Sequence, residues 1–170
     1  KIESRASWGA LGDMDGDGDQ DVLIAKDFVY AYDNNGEGYF SERAEITGNI
    51  NASFVAVGDL NDDTHADLVV TARNENTAMV FFNDGIGSFA LDDTYSVGAF
   101  PQSCCVVDLN GDGHLDIATA NRDSDNIAVL LNDSDGRFSA PLFYAVGGDP
   151  WEVEYGDIDD DGDIDLVSTN

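Results

Sequence analysis

The chain has 170 residues, of which 42% are hydrophobic and 10% aromatic, so it is long and apolar enough to fold around a hydrophobic core. Its 35 acidic residues against 7 Lys and Arg give a formal net charge of -28, which argues against nucleic acid as a partner. The chain has no run of about 18 apolar residues, so we expect no membrane insertion.

An acidic segment occurs four times along the chain. Its first Asp stands at positions 13, 59, 108 and 157, so successive copies are 46, 49 and 49 residues apart. The apolar segments that flank it recur with the same spacing. A fixed period of about 40 to 50 residues is typical of repeat proteins, in which each repeat is one supersecondary unit.

Each repeat contains short β-strand signals in a constant order. In the second repeat, apolar residues 54–57 precede the acidic loop and residues 68–72 follow it. A third apolar run at 78–82 ends at a turn, and Phe89 then leads into a more polar fourth segment. No helical periodicity is present, and β-branched and aromatic residues cluster between turns. We predict an all-β chain with four strands per repeat.

Four-stranded repeats of this length predict blades of a β-propeller, with a β-sandwich as the main alternative. The first repeat starts at Lys1 and the last stops at Asn170 before its third strand, so we expect about three and a half blades in one repeat domain, residues 1–170. An unclosed propeller would expose strand edges. We therefore expect completion, either by the remaining blades of a longer polypeptide or by self-association.

The acidic loops, at 13–21, 59–67, 108–116 and 157–165, have a spacing suited to calcium. Asp or Asn stands at loop positions 1, 3, 5 and 9, and alternate residues of a tight turn can point inward together. Ca²⁺ takes about six to eight oxygen ligands, which carboxylates, amides and carbonyls supply. The predicted side-chain ligands are Asp13, Asp15, Asp17 and Asp21; Asp59, Asn61, Asp63 and Asp67; Asp108, Asn110, Asp112 and Asp116; and Asp157, Asp159, Asp161 and Asp165.

Loop position 7 is predicted to contribute only its backbone carbonyl, because its side chain varies among Asp19, His65, His114 and Asp163. We thus expect up to four Ca²⁺ ions and no ligation by imidazole. An EF-hand would need Glu at loop position 12, where the chain has Ile24, Val70, Thr119 and Ser168. The alternative is that Asp, Asn and Gly only form turns here, and the fourfold recurrence argues against it.

The second loop differs from the others at position 6. It has Thr64 where the third and fourth loops have Gly113 and Gly162. Gly adopts a positive φ without strain, whereas a β-branched residue does not. We therefore expect a strained or weaker site in the second loop.

These residues resemble the FG-GAP or VCBS repeats of integrin-α-type β-propellers over nearly the whole chain. The most specific stretch runs from Gly98 to Asn121, and the stretch from Gly147 to Asn170 repeats it. The resemblance implies that the acidic loops connect neighbouring strands of a blade and bind Ca²⁺. It also implies closure of the propeller, commonly with about seven blades.

The resemblance implies a non-enzymatic module for adhesion, recognition or assembly, with a protein or glycan ligand or another copy as partner. Millimolar Ca²⁺ outside cells would fill even modest sites, which favours an extracellular or cell-surface location. The alternatives are a carbohydrate-binding lectin, a calcium-dependent self-assembling surface fibre, or part of a polysaccharide-degrading enzyme. The sequence contains no nucleophile motif outside the loops, so we predict no catalytic residue.

Two smaller features leave alternatives open. Trp8 and Trp151 each precede a predicted inner strand, where they either stack on a sugar ring or pack between blades. The adjacent Cys104 and Cys105 either stay buried on opposite faces of their strand, form a vicinal disulfide or bond another chain.

Overall fold

The computed structural model of the protein describes residues 8–170. This part of the chain contains fourteen β-strands, one 3₁₀ turn at Arg122–Ser124 and no α-helix. None of its helical segments is long and apolar enough to cross a membrane. The prediction of an all-β chain is confirmed, and the part of the first repeat before Trp8 lies outside the described residues.

The strands form three four-stranded sheets and one two-stranded sheet, in chain order. The first sheet contains β1 (Trp8–Gly12), β2 (Asp21–Ala25), β3 (Val29–Asn34) and β4 (Phe40–Glu45). The second contains β5 (Ala52–Gly58), β6 (Asp67–Ala72), β7 (Thr77–Asn83) and β8 (Phe89–Ser96). The third contains β9 (Pro101–Val107), β10 (Asp116–Asn121), β11 (Asn126–Leu130) and β12 (Leu142–Ala145), and the last contains β13 (Glu152–Gly156) and β14 (Asp165–Thr169).

Every sheet is an antiparallel meander in which neighbours in sequence are neighbours in space. Each sheet draws its strands from one repeat, so the four predicted strands per repeat are confirmed. A β-sandwich would distribute strands between two facing sheets, and this arrangement excludes it. The described chain is therefore an array of about three and a half propeller blades.

The sheets pack face to face, and burial shows which of them are internal. Every residue of β6 and of β10 is buried, because the second and third sheets have a neighbour on both faces. In β2 only alternate residues are fully buried. The first sheet therefore has a packed face and a more open face.

Alternate side chains of one strand enter different cores, as the pleat requires. Val69 of β6 belongs to the same buried cluster as Ile117, between the second and third sheets. The next residue, Val70, belongs to a cluster with Leu23 between the first and second sheets. A third cluster, which includes Val153, fills the space between the third sheet and the last.

The first strands of the sheets lie side by side around a common axis. Ser53 Oγ of β5 donates a hydrogen bond to the Pro101 carbonyl of β9 over 2.7 Å. The Val153 N–H of β13 donates to Ser103 Oγ of β9 over 2.9 Å. At the other end of the array, Trp8 stacks on an aromatic ring of β5 at 4.3 Å, so packing between blades is confirmed for this residue.

The described array does not close into a ring, and its outer faces carry exposed apolar side chains. Leu11 on the first sheet and Val167 on the last are both exposed. Met14 and Leu60, at position 2 of the first two acidic loops, are each only 1% exposed because they pack against the following sheet. Ile158 stands at the same position of the last loop and is 62% exposed.

Both cysteines are free and buried in the third sheet. Cys104 belongs to the core shared with the second sheet, and Cys105 belongs to the core shared with the last. The expectation of small buried residues on opposite faces of one strand is confirmed.

Candidate metal centres

The acidic loops connect the first and second strands of each sheet, so all four lie at corresponding ends of the blades. Each loop is closed by a strand pair at its base, such as Gly58 with Asp67 and Val107 with Asp116. Loop position 9 is therefore the first residue of the second strand. The predicted ligand segments thus occupy equivalent places in all four repeats.

The position 1 carboxylate organises each loop by accepting backbone hydrogen bonds. Asp108 Oδ1 accepts from the Gly111 N–H and Oδ2 from the Gly113 N–H, both at 2.8 Å. These bonds, that of Gly113 above all, hold the pKa of the Asp108 carboxyl below its usual range. Asp13, Asp59 and Asp157 likewise accept from the position 6 N–H through Oδ2. Their Oδ1 atoms accept from position 4 at Asp13 and from position 5 at Asp59 and Asp157.

Positive φ angles at positions 4 and 6 wind every loop in the same way. The third loop has Gly111 at φ +75° and Gly113 at φ +92°. Thr64, at position 6 of the second loop, is held at φ +73°, a region that a β-branched side chain rarely adopts. The expected strain in the second loop is therefore present in its backbone.

Side chains at loop positions 3 and 5 also accept hydrogen bonds from the backbone of the loop. Asn110 Oδ1 accepts from the Asp112 N–H at 2.9 Å, and Asp112 Oδ1 accepts from the His114 N–H at 2.9 Å. Each oxygen is thus held by a backbone N–H two residues later. The loops are ordered by their own backbones and present several oxygens from one short segment.

Two loops bring three carboxylates together. Oxygen atoms of Asp13, Asp15 and Asp17 lie within 4.8 Å of one another in the first loop, as do those of three predicted ligands in the fourth, Asp157, Asp159 and Asp165. With Ca–O distances of about 2.3 to 2.6 Å, oxygens bound to one ion lie at most about 5 Å apart. The donor set, all oxygen, fits a hard cation such as Ca²⁺. In the second and third loops, position 3 is an amide, from Asn61 or Asn110.

The carboxylate at position 9 is buried in the first three loops. Asp67 Oδ2 accepts from the Leu60 N–H and Oδ1 from the Asn83 N–H, both at 2.9 Å. Burial raises the pKa of Asp67 to about 6 against these two hydrogen bonds, and the nearby Asp63 and Asp59 raise it further. Burial likewise raises the pKa values of its counterparts, Asp21 and Asp116. A bound cation would relieve this accumulation of charge.

The imidazoles at position 7 lie beside carboxylates of the second loop. His65 Nδ1 is 3.2 Å from Asp63 Oδ1, and His114 Nδ1 is 2.7 Å from Asp62 Oδ2. The second contact joins the third loop to the second. The carbonyl role of position 7, including Asp19 and Asp163, remains a prediction.

The structure adds a carboxylate that the repeat did not indicate. Asp33 of β3 lies with Asp15 and Asp21 in a second group of oxygens within 4.8 Å. Arg43 contacts Asp15 at 3.0 Å and Asp33 at 3.2 Å, and it also donates to the Ile86 carbonyl in the turn between β7 and β8. The positions equivalent to Asp33 in the next repeats are apolar, Phe82 and Leu131, so no repeating signal marked it.

Comparison with solved structures identifies propeller-like neighbours at low sequence identity. An Agrocybe aegerita lectin, described as recognising non-reducing terminal N-acetylglucosamine, is 21% identical with a TM-score of 0.62, over 93% of this chain and 45% of that chain. BBS1N, solved in complex with ARL6DN, is 16% identical with a TM-score of 0.62, over 87% of this chain and 46% of that one. The Photorhabdus luminescens Tc holotoxin pore is 20% identical with a TM-score of 0.50, over 100% of this chain and 8% of that one.

These likenesses show the fold alone, and the chain spans less than half the length of each of these three neighbours. No curated protein matches the sequence. The sequence profile described as FG-GAP-like repeat matches three overlapping stretches, residues 13–70, 59–119 and 108–168. Each match begins at the first Asp of an acidic loop and ends in the second strand of the next repeat. Because the profile covers most of the sequence, the chain belongs to the FG-GAP-like repeat family.

Proposed function

We propose that the chain is a non-catalytic recognition and assembly module of the extracellular space or cell surface, with blades stabilised by up to four Ca²⁺ ions. The observation that carries the proposal is the equivalence of the four loops. In each of them a position 1 carboxylate holds the backbone in the same turn. A turn needs no such concentration of carboxylates, whereas a hard cation does.

Electrostatics supports bound cations. The chain carries a formal net charge of -28, and four divalent ions would reduce it to -20. Binding to the folded state alone stabilises it by about 2.7 kcal/mol per site when the free ion is at one hundred times its dissociation constant. The high calcium concentration outside cells favours such sites, which supports the proposed location.

The histidines and cysteines of the described residues are engaged in the loops or in the core. Both imidazoles lie against loop carboxylates, and both thiols are buried. The carboxylates that recur in every repeat surround the proposed ion positions, which leaves them poorly placed to act as an acid–base pair.

The uncovered faces of the array support the assembly part of the proposal. An open cavity of about 500 Å³ lies between the third sheet and the last, lined by apolar residues that include Leu131, Leu142, Tyr144 and Leu166. Internal blades bury both faces, so these surfaces would be covered in a closed propeller. Further blades, from a longer polypeptide or from a second copy, would supply the cover.

Calcium titration calorimetry of the metal-free chain tests the proposal directly. We expect up to four bound ions, and Asp108→Ala should remove one of them. Asp93→Ala removes an exposed carboxylate from β8, outside the loops, and should leave the number unchanged. A chain that binds no calcium at millimolar concentration would contradict the proposal.

A further inference from the structure

Basic residues are rare in this chain, yet three of the seven Lys and Arg occupy one repeated position. Lys26, Arg73 and Arg122 each follow the last residue of the second strand of their sheet. Each acidic loop ends at the first residue of the same strand. The repeated basic position therefore lies at the opposite end of the second strand from the acidic loop.

Arg73 and Arg122 line an open pocket of about 500 Å³ at the axis. The pocket lies where the first strands of the four sheets begin. Its aromatic lining consists of Trp8, Phe54, Phe100 and Trp151. All four sheets, together with the loop before β9, thus contribute to one concave site, which is the usual form of a small-molecule site.

The ring of Phe100 lies close to both guanidinium groups. Its ring centroid is 5.5 Å from Arg73 Cζ and 5.7 Å from Arg122 Cζ. Arg122 Cζ is also 5.1 Å from the ring centroid of Trp151, which is 56% exposed. The aromatic rings thus stabilise the positions of both guanidinium groups. The N–H groups at the edges of the guanidinium groups can still donate hydrogen bonds.

Phe100 is also held in an unfavourable backbone conformation, with φ at +58°. The equivalent residues of the neighbouring repeats, Asn51 and Asp149, have similar angles but belong to the types that tolerate them. The Phe100 N–H donates to Asn76 Oδ1 at 2.9 Å, and its carbonyl accepts from the Arg122 N–H at 3.1 Å. A bulky residue fixed in this region points to a functional constraint on its side chain.

One donor of each arginine, its Nε–H, is shielded from solvent and has no hydrogen-bond partner within residues 8–170. Arg122 Nε lies 3.3 Å from Asp149 Oδ1 without the alignment of a hydrogen bond, and the Asp149 side chain is 67% exposed. Arg73 has no ion pair in the described part of the chain. A shielded donor without a partner, such as Arg73 Nε, is expensive unless a ligand satisfies it.

We propose that this pocket binds a carboxylate carried on a saturated ring, the chemistry of a uronic acid unit in an acidic glycan. The planar guanidinium of Arg73 matches a carboxylate with two parallel hydrogen bonds. The exposed indole of Trp151 offers an apolar surface to the ring. The inference rests on the proposed recognition function and names the class of ligand.

The position of the pocket favours a compact ring over an extended peptide. Peptides that bind β-proteins commonly add to a free strand edge. This pocket instead lies at strand ends, and four aromatic residues and two arginines contribute to its lining. Long nucleic acids are disfavoured by the net charge of -28.

A matched pair of glycosides isolates the carboxylate. Methyl glucuronide and methyl glucoside have the same ring and differ only in a carboxylate against a hydroxymethyl group. We expect the 170-residue chain, followed by NMR or calorimetry in calcium, to bind the glucuronide at least about tenfold more tightly, because a charge-assisted hydrogen bond is lost with the glucoside. Equal binding of the two, or no binding of either, would overturn the inference.

Four single-residue variants with different expected effects on glucuronide affinity test whether this pocket is the binding site. Arg73→Gln should weaken glucuronide binding about tenfold or more, whereas Arg137→Gln makes the same charge change on an exposed turn and should have no effect. Glu152→Gln removes a carboxylate from the pocket lining and should tighten binding. Phe100→Asn introduces the residue that the second repeat has at this position and should weaken binding several-fold while the fold is kept.

Two controls separate this inference from the wider proposal. The calcium dependence of the melting temperature, measured on the same samples, reports the metal sites regardless of glycan binding. An acidic peptide that displaces the glucuronide from the wild-type chain, and binds more tightly, would overturn the glycan assignment. Retention of glucuronide binding in Arg73→Gln would overturn the site.

Discussion

Asn132 connects two neighbouring blades through its side-chain amide, which donates to the Leu60 carbonyl over 2.8 Å and to the Leu115 carbonyl over 3.0 Å. Leu60 belongs to the second acidic loop and Leu115 to the third. One repeat earlier, Asn83 bonds in the same way to the Met14 and Ala66 carbonyls, at 2.9 and 3.1 Å. A buried amide therefore ties the first loop to the second, and another ties the second to the third.

Asn132→Ala should lower the free energy of unfolding by about 1 to 3 kcal/mol, because it leaves two carbonyls without a donor at a buried position. Asn34 is the matched control. Its amide donates only to the Gln20 carbonyl of its own loop, over 3.1 Å, so Asn34→Ala should have a smaller effect. Urea unfolding measures the free energy of unfolding of both variants. Equal losses of free energy would show that the link between blades adds nothing to stability.

Thr64→Gly should raise the free energy of unfolding by about 1 kcal/mol, because it removes a β-branched residue from a positive φ at a modest entropic cost. The reciprocal change, Gly113→Thr, should lower it by a similar amount. A Cβ at Gly113 would meet nothing within 4 Å, so the effect of that variant is conformational rather than steric. Denaturant unfolding in chelator measures the change in free energy of unfolding for each variant. The prediction fails if Thr64→Gly destabilises the chain.

The thiols should be unreactive in the folded protein. Burial raises the pKa of Cys105 to about 12, and the pKa of Cys104 is also raised well above its usual value by burial. The reactive thiolate is therefore scarce at pH 8. We expect iodoacetamide to leave both residues unlabelled for hours in buffer and to label both within minutes in urea. Rapid labelling without denaturant, or a disulfide detected by mass, would contradict the packing described.

The open apolar face beside the last sheet should drive association. Leu142 lines the cavity between the third and last sheets, whereas Leu91 lies on β8, and each is 51% exposed. If further copies cover this face, Leu142→Asp should shift the mass measured by light scattering toward one chain. Leu91→Asp should leave the mass unchanged. A wild-type chain that stays monomeric at high concentration would favour completion by further blades of a longer polypeptide.

The repeat made much of this structure predictable from sequence. Strand order, four strands per blade and the position of the acidic loops all follow from local signals that recur every 46 to 49 residues. Contacts made by residues that do not recur could not be predicted in this way. Arg43 forms ion pairs with Asp15 and Asp33 in the first sheet. The residues equivalent to Asp33 in the next two repeats are apolar, so the repeat pattern did not predict these contacts.

The basic pocket was hidden from the sequence for a similar reason. Arg73, Phe100 and Trp151 come from different repeats and occupy different positions within them. Trp8 and Trp151 could be identified as candidates for stacking or packing, but only the three-dimensional arrangement separates them. Trp8 stacks between blades, whereas Trp151 is exposed beside a guanidinium group. The cations recur at Lys26, Arg73 and Arg122, but Phe100 and Trp151 have no aromatic counterpart in the neighbouring repeats, so the complete pocket does not repeat.

The most direct test of the calcium proposal is the melting temperature of the chain in millimolar Ca²⁺ and after addition of chelator. Even one site filled at one hundred times its dissociation constant should raise the melting temperature by at least about 5 °C in a chain of this size. We expect the increase to be larger with four sites, and Mg²⁺ to replace Ca²⁺ poorly because it requires a smaller, more rigid octahedral site. The same melting temperature in calcium and in chelator would contradict the account.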